Sequence, residues 1–180
     1  DPSRIVVLVH QTGDILRQVN RWRYLLQGRE PPYFFKPRFL LDKDGRLKLL
    51  PLPSFDRSTL QNTLQYSLRH LPHEYFNVNG PSGLNRLAFP YSLTLIRGLD
   101  HFHIRAILSG RLWYQDFYDP EHPSNALSLT AAILEAFVTE ARESGKHPLV
   151  VHMPNPMDFP WQREHGQWPY RPLLKRLQGS

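Results

Sequence analysis

The sequence predicts an α/β fold: a three-layer sandwich on a mostly parallel sheet, with a hairpin insertion. Two short runs, Ile5 to Val9 and Pro148 to His152, are almost wholly apolar, as is typical of parallel strands buried on both faces. Each run adjoins an amphipathic helical pattern, the unit from which α/β folds are built. We therefore expect residues 5–10 and 148–153 to be parallel strands of one sheet. The chain 1–180 is expected to be a single domain or the central piece of a larger one.

The composition is that of a folded protein and excludes several kinds of site. Hydrophobic residues make up 41% of the 180 residues, and there is no cysteine. The lack of cysteine excludes disulfides, a thiol nucleophile, Cys-ligated zinc and iron–sulfur clusters. No glycine-rich phosphate loop is present, and no apolar run reaches the roughly 18 residues of a membrane span. We therefore predict no cofactor, no metal and no membrane span, and the compartment stays unknown.

The basic residues outnumber the acidic ones but are scattered. The chain carries 22 Lys and Arg against 16 Asp and Glu, a formal net charge of +6. A nucleic-acid site would place basic residues such as Arg17, Arg21, Lys175 and Arg176 on one exposed face. A basic row is more often the solvated side of a helix. A basic nucleic-acid-binding or assembly module without catalysis is therefore the less favoured alternative.

The first strand leads into a polar loop and a helical pattern. Polar residues occupy His10 to Asp14, and apolar residues then recur at helical spacing from Ile15 to Leu26. Gly28 follows where a helix would stop. Further along the chain, residues 39–41 and 47–50 flank a short polar turn, which predicts a β-hairpin.

Three further helices are predicted in the rest of the chain. A stripe of leucines predicts a helix over 56–71, and another is expected over 92–108, after an irregular loop at 72–91. The clearest helix runs over 123–144, with Gly145 just past its end. Because the second apolar strand follows this helix, the two complete an α/β unit.

Polar side chains follow both apolar strands, where α/β proteins bind ligands. In open sheets of this class, ligands bind beyond the carboxyl ends of the strands. That rule selects the two loops after the strands and predicts a polar site from six residues: His10, Gln11, Asp14, His152, Asn155 and Asp158. The alternative is structural, with Thr12 or Asp14 capping a helix and two prolines turning the second loop.

Asp119 and His122 are a second candidate. A carboxylate three residues before a histidine has the spacing of a compact acid–base pair, in which the carboxylate orients the imidazole. The alternative is a capping turn before the helix that begins near Ser124. On sequence alone the capping turn is the stronger interpretation.

Ile5 to Ile15 resembles the strand and loop that carry the third conserved block, G-x-N-D, of SGNH/GDSL-type hydrolases. Phe35 to Phe39 with the following hairpin, and Tyr118 to Val151, also resemble bacterial proteins of the SGNH-hydrolase-like kind. The resemblance covers most of the chain. It implies a three-layer α/β sandwich that hydrolyses esters. The implied substrate is an ester or an acylated carbohydrate or lipid.

The resemblance assigns roles to the residues at the positions that match the family's conserved blocks. Asp14 stands at the aspartate of the third block, Gly13 at its asparagine and Val9 at its glycine. The closing block of the family, D-x-x-H, is matched in spacing by Asp119 and His122. The candidate residues are then Asp14, Asp119 and His122 for catalysis, and His10, Gln11, Gly13 and His152 for substrate binding.

The nucleophile of the family, a serine in a Gly-Asp-Ser block, has no counterpart in this sequence. The D-x-x-H match precedes a long helix and a further strand, so we expect the true closing block after Ser180. The chain is then either the middle of a longer hydrolase or a degenerate relative. Gly13 favours degeneration, since loss of one oxyanion donor costs about 10²–10³ in turnover.

Two functional expectations follow from these departures. The chain alone should not hydrolyse esters at an enzyme-like rate. Uncovered sheet edges and apolar helix faces predict a homo-oligomer or a partner chain.

Overall fold

A computed structural model of the chain describes residues 4–22, 35–52, 73–76, 89–99 and 102–178. The chain divides into two compact units. Unit 1 comprises Asp1–Gln18, Phe39–Lys48 and Tyr114–Ser180, and unit 2 comprises Val19–Arg38 and Leu49–Trp113.

The described residues form both strands and helices. The strands are β1 (Ile5–Gln11), β2 (Arg38–Leu41), β3 (Leu47–Leu50) and β4 (His147–Met153). The α-helices are α1 (Tyr91–Gly98), α2 (Phe102–Ser109), α3 (Ala126–Glu143), α4 (Asp158–His165) and α5 (Arg171–Gln178). Two 3-10 helices cover Thr12–Val19 and Gln115–Tyr118.

The two apolar strands pair as predicted. β1 and β4 are parallel neighbours in one two-stranded sheet, with Ile5 opposite His147 and Gln11 opposite Met153. This pairing confirms the expected parallel arrangement. The structure is compatible with the α/β class through this small parallel sheet.

The expectation that both faces of these strands are buried is wrong. The odd-numbered apolar residues of β1 and β4 are exposed, including Ile5 at 63% and Leu149 at 51%. Helix α3 packs on β4, and the even-numbered side chains are the less exposed ones on both strands. An apolar run therefore identified the strands, but the run carries no information on which faces are covered.

Helix α3 is the main helix of unit 1 and confirms the predicted 123–144 element. Gly145, in the left-handed region at φ 71°, follows its carboxyl end, a conformation that glycine adopts without steric cost. α3 packs on β4, on α5 and on the second 3-10 helix. The core around it is formed by buried apolar side chains: Ala126, Leu127, Leu129, Ala131, Leu134, Phe117 and Leu173.

The predicted hairpin is confirmed. β2 and β3 pair with each other, and the Asp42 carboxylate accepts hydrogen bonds from the backbone N–H groups of Asp44 and Arg46, both at 2.9 Å. Gly45 has φ 76° in this turn, which accounts for glycine there.

The predicted helix from Ile15 to Leu26 is wrong in type and length. A 3-10 helix ends at Val19, because a glutamate from a distant segment takes the next backbone donors. Within unit 2, the Glu74 carboxylate accepts hydrogen bonds from the backbone N–H groups of Arg21 at 2.7 Å and Trp22 at 3.0 Å. A tertiary contact has replaced helical hydrogen bonds at this point.

Buried polar groups also join residues 19–22, 35–38 and 73–76 within unit 2. Arg38 donates hydrogen bonds to the backbone carbonyls of Val19 and His73, and Asn20 accepts one from the Phe76 N–H at 2.9 Å. The Trp22 ring stacks on Phe35 with centroids 5.7 Å apart. Burial lowers the pKa of Arg38 to about 10, against the attraction of a nearby carboxylate.

Other predicted elements differ or lie outside the described residues. The helix expected over 92–108 is two helices, α1 and α2, and α1 ends at Gly98, in keeping with the roughly 1 kcal/mol cost of glycine inside a helix. The predicted helix over 56–71, Gly28 and most of the 72–91 loop lie outside the described residues. No helix in the described ranges is long and apolar enough to cross a membrane.

Candidate functional site

The register of the parallel pair places two histidines side by side at the carboxyl ends of the strands. His10 of β1 lies opposite His152 of β4. Their Nδ1 atoms are 3.1 Å apart, and the ring centroids are 5.1 Å apart. A hydrogen bond between two imidazole nitrogens requires one donor and one acceptor.

His10 is almost fully buried, with 4% of its surface exposed. Its second ring nitrogen, Nε2, is buried and has no hydrogen-bond partner among the residues that the structure describes. A buried polar atom without a partner costs about 1–3 kcal/mol. The strand end thus presents one unused hydrogen-bonding position.

Thr12, in the first turn after β1, connects the histidine pair to a buried carboxylate. Its hydroxyl donates to Oδ2 of Asp158 at 2.7 Å. The same oxygen lies 3.3 Å from Nε2 of His152 and 3.3 Å from the carbonyl of Met153. Thr12 and Asp158 are both fully buried.

Asp158 begins helix α4 and accepts hydrogen bonds from three groups. Besides Thr12, the backbone N–H of Asn155 donates to Oδ2 at 2.8 Å, and the Tyr114 hydroxyl donates to Oδ1. Three donors satisfy a carboxylate, which in its ionised form only accepts. Burial, together with the hydrogen bond to Asp158, raises the pKa of Tyr114 well above its ordinary value. Its phenol therefore stays a donor.

The Tyr118 hydroxyl closes the inner side of the site. It donates to the backbone carbonyl of Thr12 at 2.8 Å, and burial raises its pKa strongly. This bond ties the second 3-10 helix to the turn after β1. Thr12 is thus held at two points, at its backbone carbonyl by Tyr118 and at its hydroxyl by Asp158.

The outer side of the site is polar and exposed. The Gln11 amide donates to Oδ1 of Asn155 at 2.6 Å, which joins the loops after β1 and β4. The Asp14 carboxylate accepts from the backbone N–H of Gln11 at 3.2 Å and from Arg17 at 3.0 Å. Arg17 and Asp14 also form an ion pair.

The surroundings keep both strand-end histidines neutral near pH 7. Burial, together with the neighbouring His10 and against an opposing effect of Asp14, lowers the pKa of His152 to about 4. Burial likewise lowers the pKa of His10, and Asp14 partly offsets it. A neutral imidazole has one donor and one acceptor nitrogen, so each ring can donate one hydrogen bond and accept one.

A row of aromatic rings runs from the histidine pair towards the surface. Tyr170 lies against His152 with ring centroids 3.9 Å apart, and Trp168 stacks on Tyr170 at 5.5 Å. Phe159, 48% exposed, contacts Trp168 edge to face at 5.5 Å. One side of the site is therefore apolar and aromatic.

The strand-end rule selected six residues, and the structure brings all six together at one end of the strand pair. His10, Gln11 and Asp14 lie at the end of β1, and His152 lies beside them at the end of β4, joined by Asn155 and Asp158. Gly13 is the second residue of the 3-10 helix that follows β1. These positions agree with the strand-end rule.

Asp119 and His122 have local contacts in the turn before α3. The Asp119 carboxylate accepts a hydrogen bond from the Glu121 N–H at 2.9 Å. The His122 imidazole bonds to the Ser124 hydroxyl at 2.7 Å, and Ser124 also accepts from the Ala126 N–H at the start of α3. These bonds are local to the turn before α3, whose N-cap residue, Asn125, makes no side-chain capping hydrogen bond.

Sequence reasoning missed the buried partners of the site. Thr12 was assigned only as a helix cap, and no local pattern marks Tyr118 as its partner or Tyr114 as the partner of Asp158. Their spacing of four, next to a loop, was the one available signal. The contacts join residues 44 to 146 positions apart, which a single sequence does not encode locally.

Two of the four basic residues named for nucleic-acid binding, Arg17 and Arg21, are paired with carboxylates. Arg21 is 8% exposed, with its guanidinium 3.6 Å from the Glu74 carboxylate, and Arg17 is paired with Asp14.

No group of three potential metal-ligating side chains occurs within the described ranges. Comparisons with protein-family models, curated proteins and solved structures gave no match to the chain.

Proposed function

We propose that unit 1 carries the ligand-binding and proton-accepting part of an ester hydrolase site of the SGNH type. The ligand would be an acylated compound with a hydroxyl group, such as an acylated carbohydrate, and the fold would be a three-layer α/β sandwich. The site is the cluster at the carboxyl ends of β1 and β4. His10 is the residue that would contact the ligand.

One observation carries this proposal: the buried Nε2 atom of His10 has no hydrogen-bond partner among the described residues. A buried polar atom is normally paired, so an incoming O–H group would gain a hydrogen bond that the protein does not provide. The position, at the ends of two parallel strands, is where α/β proteins bind ligands. The aromatic side of the site, which ends at the exposed Phe159, supplies the apolar surface that ligand sites usually contain.

The chemistry of ester hydrolysis fits an acceptor nitrogen. A hydroxyl oxygen attacks the acyl carbon while its proton moves to His10 Nε2, and that proton then passes to the leaving alcohol as the C–O bond breaks. The described contacts of His10 and His152 include no serine. We therefore expect the chain alone to bind the ligand with little turnover, and the nucleophile to come from outside these residues.

The test is a titration of the ¹⁵N-labelled full chain with 6-O-acetylglucose, followed by NMR. Saturable shifts of the His10, Gln11 and Asn155 signals are expected, with weaker shifts for glucose. His10→Gln should abolish them. His147→Gln, an exposed histidine on β4, is the matched control and should leave them intact.

Two results would contradict the proposal. One is the absence of saturable shifts at these three residues. The other is ester turnover of p-nitrophenyl acetate that requires His122 and is unaffected by His10→Gln, since that outcome would move the site to the turn before α3.

A further inference from the structure

Four side chains of the site are linked by a chain of hydrogen bonds: Asp158, Thr12, His152 and His10. In this chain each donor can be assigned in turn. We infer that Thr12 and Asp158 are positioning residues that fix the tautomers of His152 and, through it, of His10. His10 Nε2 is thereby held as a hydrogen-bond acceptor for an O–H group. The identity of the ligand rests on the proposed function, whereas the tautomers can be measured without any ligand.

The assignment of donors and acceptors begins at the Asp158 carboxylate, which accepts from Thr12. Thr12 has a single hydroxyl proton and three oxygen or nitrogen neighbours: Asp158, Met153 and His152. The bond to Asp158 is the shortest, at 2.7 Å against 3.3 Å for the other two. Bonds to a carboxylate are also the stronger kind. The proton of Thr12 therefore points to Asp158.

The hydroxyl oxygen is then an acceptor towards His152. Because its proton is used, Thr12 can only receive a hydrogen bond from Nε2 of His152. This assigns the His152 proton to Nε2. Since the ring is neutral, with its pKa lowered to about 4 mainly by burial, Nδ1 carries the lone pair.

The contact between the two histidines then assigns the proton of His10. With an unprotonated Nδ1 on His152, the 3.1 Å contact requires His10 to donate from its own Nδ1. A neutral His10 with a proton on Nδ1 has none on Nε2. The buried atom without a partner is therefore an acceptor.

The opposite direction is less consistent with the geometry. It would require the Thr12 hydroxyl to donate to His152 across 3.3 Å, leaving its 2.7 Å contact with Asp158 without a proton. Two oxygen atoms at 2.7 Å without a proton between them repel each other. The carboxylate thus selects the state of a nitrogen three hydrogen bonds away.

The test is ¹⁵N NMR of the histidine side chains in the full chain at pH 7.5, where the nitrogen shifts identify each tautomer. His152 is expected as the Nε2–H form and His10 as the Nδ1–H form. His10→Gln and His152→Gln assign the two sets of signals. A His10 ring protonated on Nε2 would refute the inference directly in the unmodified protein.

Two substitutions at Thr12 separate positioning from packing. Thr12→Val keeps the shape of the side chain and removes the hydroxyl, and it should convert the single tautomer of each ring into a mixture. Thr12→Ser keeps the hydroxyl and should retain the unmodified pattern. Unchanged tautomers in Thr12→Val would overturn the role of Thr12.

Asp158→Asn supplies an independent measurement if Thr12→Val fails to fold. Its amide weakens the acceptor that orients Thr12, so at least a tenfold rise in the minor tautomer of His152 is expected. No change would remove Asp158 from the chain of hydrogen bonds. Correct tautomers without binding of 6-O-acetylglucose would leave this inference standing and reject the proposed function, so the two failures are distinguishable.

Discussion

Acidification from pH 7 to pH 5 should destabilise unit 1 through His152. Its pKa is about 4 in the folded protein and 6.5 ordinarily, so the unfolded chain binds a proton that the folded chain refuses. The stabilising contribution is therefore complete above pH 6.5 and is lost as the pH falls towards 4. One pKa unit corresponds to about 1.4 kcal/mol. The loss between pH 7 and pH 5 is then about 2 kcal/mol.

The size of this loss of stability depends on how deeply the His152 ring is buried. His152 is half-buried, so solvent screening makes about 2 kcal/mol an upper limit. His10 acts with the same sign, because burial also lowers its pKa. If His152 were protonated on Nδ1, two N–H donors would face each other across the 3.1 Å contact with His10.

Hydrogen exchange of the β1 and β4 amides measures this effect, since it reports the opening free energy of unit 1 at each pH. His152→Phe preserves an aromatic ring beside Tyr170 but does not titrate. Its opening free energy should change by about 2 kcal/mol less than that of the unmodified protein over the same pH range. His147→Gln, which removes an exposed histidine on the same strand, should keep the full dependence.

The reasoning would be refuted by a His152→Phe protein with the same pH dependence as the unmodified chain. It would equally be refuted by β1 and β4 amides that open less readily at pH 5. Either result would mean that His152 is protonated, or well solvated, in the folded state. The comparison uses the difference in slope, so a lower overall stability of the variant does not affect it.

Three further substitutions test separate parts of the structure. Glu74→Gln weakens a buried acceptor of two backbone N–H groups beside Arg21 and should lower the stability of unit 2 by about 2 kcal/mol, measured by exchange at the Trp22 amide. Gly45→Ala forces a side chain into φ 76° and should cost the hairpin about 1 kcal/mol, measured by urea unfolding. Ser124→Ala removes the acceptor of the hydrogen bond from the Ala126 N–H and should cost about 1 kcal/mol, with 6-O-acetylglucose binding unchanged. A loss of binding in Ser124→Ala would contradict the placement of the site.

The parts of the fold that were predictable depend on local patterns. The apolar runs identified β1 and β4, and their parallel pairing followed from the α/β pattern of alternating strands and helices. The strand-end rule then brought His10, Gln11, Asp14 and His152 to one place. Each of these steps uses residues that are close in sequence or a rule that holds for the whole fold class.

The parts that were not predictable depend on contacts between distant segments. The helix after β1 stops at Val19 because Glu74, more than 50 residues away, takes the next backbone donors. Thr12 has the sequence signature of a cap, yet its hydroxyl bonds to Asp158. In both cases a carboxylate from elsewhere competes with the local backbone, and no local pattern records which carboxylate arrives.

The candidate site and the register of the sheet are one structural feature. His10 and His152 meet because β1 and β4 pair with His10 opposite His152. A shift of either strand by one residue would turn its histidine to the opposite face of the sheet. The bonds from Thr12 and Gln11 to the loop after β4 hold that register at the end of the strands where the histidines lie. The same polar groups therefore fix the strand alignment and define the acceptor nitrogen, so a substitution that loosens one is expected to alter the other.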